Sequence, residues 1–234
     1  PVERDYSVFI HLVDSNGLIV AQRDSYPAGG NSITSRWPVG LVVPDYHTIQ
    51  IPSIVPAPCQ TRLRIGLYDA QSGTRLLTLD AADSVRLGTV SLLSAEGTAG
   101  LPNPVYFDFE GQLALVGFDL DRRVVHPGET LHLTLYWQAL SPMEEDYTVF
   151  THLLRPPDEV WAQEDDQPQD GQSPTSTWQP GQIIEDHYQL TLPVEAPFGV
   201  YEIEVGLYSH QPGDRLKVGL SDAGIVLGKV KVQR

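Results

Sequence analysis

A histidine, a glutamine and two carboxylates recur as a set in this chain. His11, Gln22, Asp24 and Asp45 return at a constant offset of 141 as His152, Gln163, Asp165 and Asp186. A histidine with two carboxylates is a ligand set a metal accepts, and it also has the makings of an acid–base cluster. The competing role is structural, because an imidazole held in a strand and bonded to a loop carboxylate orders that loop. Recurrence of both members favours the structural role, since repeated positions report first on what a fold needs. His11 with Asp24, and His152 with Asp165, are therefore expected to form hydrogen-bonded pairs within their own domains, and no resident metal or cofactor is expected.

An acidic run, Glu164, Asp165, Asp166 and Asp170, is the next candidate. Calcium takes six to eight oxygens, and Asp165, Asp166 and Asp170 supply several. The spacing does not follow the EF-hand loop, and the matching stretch Arg23-Asp24-Ser25-Tyr26-Pro27 holds one carboxylate, so calcium remains the weaker alternative. Trp37 and Trp178 each follow a hydroxyl-rich loop, where an exposed indole would stack on the apolar face of a sugar. The same tryptophan at the same place in both copies is better explained as a plug closing the end of a β-sandwich. Tyr26 and Tyr46 stand opposite Gln167 and His187, so they are freer to serve recognition, and the four aromatics form the candidate glycan-stacking set.

Nucleophilic chemistry has no comparable support. Cys59 is the lone cysteine, with no histidine nearby, and it permits no intrachain disulfide. The chain contains no GxSxG, P-loop, GxGxxG or HExxH motif. Two carboxylates for glycoside cleavage are easily picked from the 30 acidic residues, so only a cleft holding a pair about 5–10 Å apart would argue for a hydrolase.

The elements that must position these residues are β-strands. Short runs alternate apolar and polar residues between turns supplied by 20 Gly and 19 Pro. Strands are predicted at 113–120, 130–139, 147–154, 160–163, 183–192, 200–208 and 225–232. In 130–139, Leu131, Leu133, Leu135 and Trp137 share one face, as a sandwich strand requires. Residues 196–201, Ala-Pro-Phe-Gly-Val-Tyr, predict a tyrosine corner in which the Tyr201 hydroxyl bonds to upstream backbone, while Thr61 stands in its place in the first copy.

The repeat extends well beyond the polar set. DYSVFIHLV from Asp5 returns as DYTVFTHLL from Asp146, and IGLYDAQSGTRL from Ile65 faces VGLYSHQPGDRL from Val205 at an offset of 140. A unit of this length is a domain rather than a solenoid repeat. The expectation is all-β: two tandem immunoglobulin- or fibronectin-like sandwiches from an internal duplication, residues 1–102 and 103–234, joined near 94–103. Asp5 matches Asp146, so the counterparts of 113–140 fall before residue 1, and the first sandwich is expected to lack its two N-terminal strands. Its uncovered face is expected to be closed by a preceding segment, by the second domain or by a second copy of the chain. The homodimer is favoured.

The sequence from Asp146 onward, with AQEDDQP, PTSTWQPGQIIEDHYQLTLP, APFGVYEIEVGLY and LGKVKV, resembles a β-sandwich module at the C-terminal end of large bacterial membrane glycosyltransferases, themselves similar to dolichyl-phosphate-mannose mannosyltransferases. The resemblance covers 103–234, and 5–93 less closely. It implies an extracytoplasmic accessory location in a larger membrane-bound protein, and it brings no catalytic residue.

A net charge of −15 argues against nucleic acid and anionic lipid, which would be repelled. The acidity is uneven, net −2 over residues 1–102 and −13 over 103–234. No apolar run approaches the roughly 18 residues of a membrane span, and no signal peptide is recognisable. The opening on Pro1 without Met reads as excision from a longer protein. The expected function is non-catalytic: presenting or binding glycan or a protein partner near the membrane, with a dedicated carbohydrate-binding module as the alternative and a glycoside hydrolase as the remote one.

Overall fold

The computed structural model describes residues 2–94, 100–209, 214–221 and 224–234. The chain is all-β, with three short 3-10 turns and no α-helix among the described residues, and hence no helix long and apolar enough to cross a membrane. It divides into two compact units, Pro1–Pro52 with Pro58–Leu93, and Ser53–Ala57 with Ser94–Arg234. Part of the expected connector, 95–99, lies outside the described residues.

The first unit contains one antiparallel sheet of four strands: β1 (Tyr6–Val13), β2 (Ile19–Ser25), β3 (Cys59–Asp69) and β4 (Val85–Leu92), in the order β2-β1-β3-β4. The β1–β2 turn is held by Asp14, whose Oδ1 accepts the N–H groups of Asn16 at 2.9 Å and Leu18 at 2.8 Å. Gly17 sits there at φ 84°, a conformation glycine adopts without steric cost. β1 is buried almost throughout, whereas β4 is exposed along nearly its whole length.

The second unit has two sheets. Strands β10 (Glu159–Asp166), β9 (Thr148–Arg155), β12 (Gly199–Tyr208), β13 (Ile225–Val232) and β7 (Val124–Val125) make one in that order, with β7 parallel to β13. Strands β11 (Ile183–Thr191), β8 (Thr130–Ala139), β6 (Leu113–Leu120) and β5 (Pro104–Phe109) make the other. The sheets enclose one core in which Leu131, Leu133, Leu135 and Trp137 are at most 1 % exposed, so the predicted face of β8 points inward. β5 and β7 were not among the predicted strands. The Tyr201 hydroxyl donates to the Pro197 carbonyl at 2.8 Å, closing the tyrosine corner. In the first unit Thr61, fully buried, instead donates its hydroxyl to the Val90 carbonyl at 2.9 Å.

The strand order β2-β1-β3-β4 has the same sequence of strands as β10-β9-β12-β13, and the same side-chain device recurs on each sheet. Gly206 lies opposite Phe150 in the β12–β9 register, and Gly66 lies opposite Phe9 in β1–β3. A Cβ on either glycine would overlap the phenylalanine ring, so the ring's position dictates glycine there. An arginine guanidinium then caps each ring at 4.4 Å, Arg75 over Phe9 and Arg215 over Phe150, in cation–π contact.

The first unit also differs from the second at residues 42–50. Residues 42–50 match β11 at the offset of 141, yet they form no strand, and none of their backbone groups bonds to other backbone among the described residues. β11 is a strand because it pairs with β8 along its whole length, from Ile183 opposite Gln138 to Thr191 opposite Thr130. Without an equivalent of β8 the alternation survives only in exposure: 43, 45, 47 and 49 are half-buried and 42, 44, 46, 48 and 50 exposed.

Candidate functional site

The histidines sit on the phenylalanine-bearing faces of their sheets. His11 is 7 % exposed, its ring centroid 4.8 Å from that of Phe9 and its Nε2 3.3 Å from Asp24 Oδ1, an ion-pair contact without the geometry of a formed hydrogen bond. Burial lowers its pKa below the ordinary histidine value; the Asp24 charge opposes this, while the cations Arg75 and Arg64 reinforce it.

His152 keeps the same ring contact with Phe150, at 4.9 Å, but its electrostatics differ. The expected partner Asp165 lies 3.6 Å away, too far for a hydrogen bond, and the carboxylate actually bonded is Glu204, at 3.0 Å from Nδ1. The β12–β9 register sets Glu204 directly across from His152. Sequence comparison within the chain missed Glu204 because Arg64 occupies the matching position, opposite His11. The hydrogen bond from His152, ahead of every other influence, holds the Glu204 carboxyl below its usual range against the opposing effect of burial.

Replacing His152 with Ala leaves Glu204 partly buried without its principal partner, and urea denaturation at pH 7 should show a stability loss of about 1–3 kcal/mol. A carboxyl depressed in the folded state contributes stability that is present above its unfolded pKa and lost as pH falls through the folded one. The difference between wild type and His152→Ala should therefore shrink on acidification below about pH 4.5.

The second repeated carboxylate anchors a loop. Asp186 is 1 % exposed; its Oδ1 accepts the Gln169 N–H at 2.8 Å and its Oδ2 accepts the Tyr188 hydroxyl at 2.6 Å. Asp45 makes the matching arrangement, accepting the Ala28 N–H at 2.9 Å, with His47 Nε2 at 2.7 Å from Oδ2. The 3-10 turns pin the same loops from their far ends: Thr34 Oγ1 accepts the Tyr6 N–H and Thr175 Oγ1 the Tyr147 N–H, each at 2.9 Å.

The residues of the weaker calcium alternative are each placed separately. Glu164, Asp165 and Asp166 are consecutive in β10, so their side chains leave on alternating sides. Asp165 turns toward His152 and Tyr208, Glu164 accepts the Gln189 N–H, and Asp166 accepts the Gln167 N–H at 2.7 Å. Asp170 lies beyond the strand. Among the described residues no group of three or more His, Cys, Asp or Glu is gathered as a metal would need.

The aromatics divide sharply. Trp178 is 2 % exposed inside the core, its indole N–H directed at Ser173 Oγ at 2.9 Å, and it cannot stack on a ligand. Trp37 makes the equivalent bond to Ser32 Oγ at 2.8 Å and is half-buried. Tyr26 is 40 % exposed. Tyr46 is 91 % exposed and borders a concavity of about 430 Å³ between β2 and segment 42–50. Gln22, Arg23, Ser25, Gly29, His47, Thr48 and Gln50 complete its lining, a set of hydrogen-bonding groups around one free phenol ring.

A second hollow, lined in part by Arg64, Asp80, Asp83 and Arg86, lies along β4. Its carboxylates are already engaged: Asp83 accepts from Ser84 and pairs with Arg75, and Asp80 accepts from Thr78, contacts that lower both pKa values. Burial raises the Asp186 carboxyl, but that group lies in the interior rather than in a cleft.

No family model matches the chain, and no curated protein does. Among solved structures it is similar to the alkylpurine DNA glycosylase AlkC of Pseudomonas fluorescens, at 10 % identity and TM-score 0.35 over 53 % of this chain and 31 % of that one. It is also similar to a β-glucosidase of Listeria innocua, at 17 % identity and TM-score 0.31 over 59 % and 19 %, and to AvmM, a macrocyclisation catalyst of alchivemycin A biosynthesis, at 11 % and 0.30 over 56 % and 96 %. The match thus spans under a third of the glycosylase and about a fifth of the glucosidase. Overlaps of this TM-score fix neither an activity nor a ligand.

Proposed function

We propose that this chain is a non-catalytic binding region of a larger membrane-bound, glycosyltransferase-like protein, placed outside the membrane, and that it holds a glycan at the Tyr46 concavity. The observation that carries the binding role is Tyr46 itself: a phenol 91 % exposed, fixed beside a hollow whose walls offer amide, hydroxyl and guanidinium groups. A sugar ring presents an apolar face for the phenol and polar edges for those groups. Tyr46 is positioned from below by Asp45, which ties segment 42–50 to the Ala28 backbone. The parent protein and its placement rest on the resemblance of 103–234 to glycosyltransferase-associated sandwiches.

A glycan array probed with the purified chain tests this reading. Binding should be found and should weaken by about tenfold or more in Tyr46→Ala, the stacking and area lost with one aromatic ring being worth roughly 1–3 kcal/mol. No binding on the array, or equal binding by Tyr46→Ala, would sink the proposal.

A further inference from the structure

The Tyr46 concavity marks a reversal of charge between the two units. In the second unit β10 and β11 are edge strands of different sheets, and Glu164 Oε2 ties them together by accepting the Gln189 N–H. Arg23 stands at the position matching Glu164, and Thr48 at that matching Gln189. An arginine side chain holds only donors and cannot take up an N–H. Both residues line the concavity, and among the described residues neither the Arg23 guanidinium nor the Thr48 N–H has a hydrogen-bond or ion-pair partner. Ser25 and Gly29, also in the lining, stand where the second unit has Asp166 and Asp170. The lining thus presents a guanidinium and no carboxylate, whereas its counterpart positions hold Glu164, Asp166 and Asp170. The carboxylates nearest in sequence are engaged elsewhere, Asp24 with His11 and Asp45 with the Ala28 N–H and His47.

We propose that the concavity selects an acidic sugar, a uronic acid whose carboxylate lies between Arg23 and the Thr48 N–H while its ring lies against Tyr46. This specificity presupposes the glycan site proposed above and names its class of sugar. The second unit supplies the precedent, because there a carboxylate of the chain itself occupies the place that a ligand's carboxylate takes in the first. Gln189 gives its N–H to β10 rather than to its ladder with β8, so the matching Thr48 donor belongs to the concavity whatever pairs with the other side of segment 42–50. A planar carboxylate accepts from the guanidinium fork and from a backbone N–H together, in charge-assisted hydrogen bonds. Most of the net charge of −15 is carried by residues 103–234, and such contacts act at hydrogen-bond range. An acidic peptide would offer the carboxylate but no sugar ring for Tyr46.

The test is an array carrying neutral glycans and uronate oligosaccharides, each uronate beside its own methyl ester, which keeps every ring and removes the charge. The acids should bind about tenfold or more tightly than their esters. Arg23→Gln should bring the acids down to the affinity of the esters. Arg23→Glu, which restores the carboxylate of the second unit, should abolish binding of the acids and spare the esters. Tyr46→Ala should weaken acid and ester by the same factor. Arg23 is exposed, so thermal melting of both Arg23 variants should match wild type. Equal binding of acid and ester, binding confined to neutral glycans, or acid binding unchanged in Arg23→Gln would overturn the acidic specificity and leave the glycan reading standing. Poly-glutamate bound as tightly as the acids would overturn it too, assigning Arg23 to an acidic peptide. An array on which no glycan binds removes both.

Discussion

Trp178→Ala should lower the stability of the second unit by about 3–5 kcal/mol, the largest effect expected of any single substitution considered. The indole is 2 % exposed, packs in the core of the sandwich, and satisfies its N–H on Ser173. Truncation removes the transfer energy of a large aromatic and leaves a cavity that rigid sheets on both sides do not collapse to fill. Trp37→Ala should cost less, about 1–2 kcal/mol, because part of that indole is already in water. Urea denaturation of each variant beside wild type measures both. A Trp178→Ala variant as stable as wild type but defective in glycan binding would return Trp178 to the role of a stacking platform.

Asp186→Ala should destabilise the second unit by about 2–4 kcal/mol at pH 7, because the Gln169 N–H and the Tyr188 hydroxyl both lose their acceptor in a site closed to water. Asp186→Asn keeps an acceptor and should cost much less, and its pH dependence carries the information. Burial raises the Asp186 pKa above 3.8 despite the hydrogen bonds from Gln169 and Tyr188 that pull it down. A group raised on folding contributes stability that is fully present below its unfolded pKa and lost as pH climbs through its folded one. The asparagine variant has no such charge to bury, so its stability relative to wild type should improve as pH rises from about 3 toward 7. Carboxyls such as Asp69 and Glu204, depressed on folding, act in the opposite sense in both proteins and cancel in the difference. A constant difference across that range would show that Asp186 is not raised by burial.

Much of the second unit was legible in its residues. Alternation in 130–139 marked the inward face of β8, and the run ending in Tyr201 marked a corner whose hydroxyl bond is formed. Both are local properties: period-two alternation and a turn are written within a few consecutive residues. β5 and β7 were not legible, the first because its register with β6 is irregular and the second because two residues carry no period.

What only the tertiary structure decided were matters of partnership. Glu204, rather than the repeated Asp165, bonds His152 because the β12–β9 register puts it across from the ring, and a cross-strand neighbour 52 positions away leaves no trace in local sequence. Asp45 and Asp186 belonged to the repeated set, but their work as backbone anchors of the loops from Ala28 and Gln169 emerged only once each loop closed on its carboxylate. Tyr46 and Trp178 were equal candidates as aromatic residues, and enclosure separated them, one at 91 % exposure and the other at 2 %. Segment 42–50 shows the division most plainly: like β11 it alternates in exposure, and it forms no strand. Alternation belongs to the chain, whereas a strand exists only when a second strand takes up its backbone hydrogen bonds.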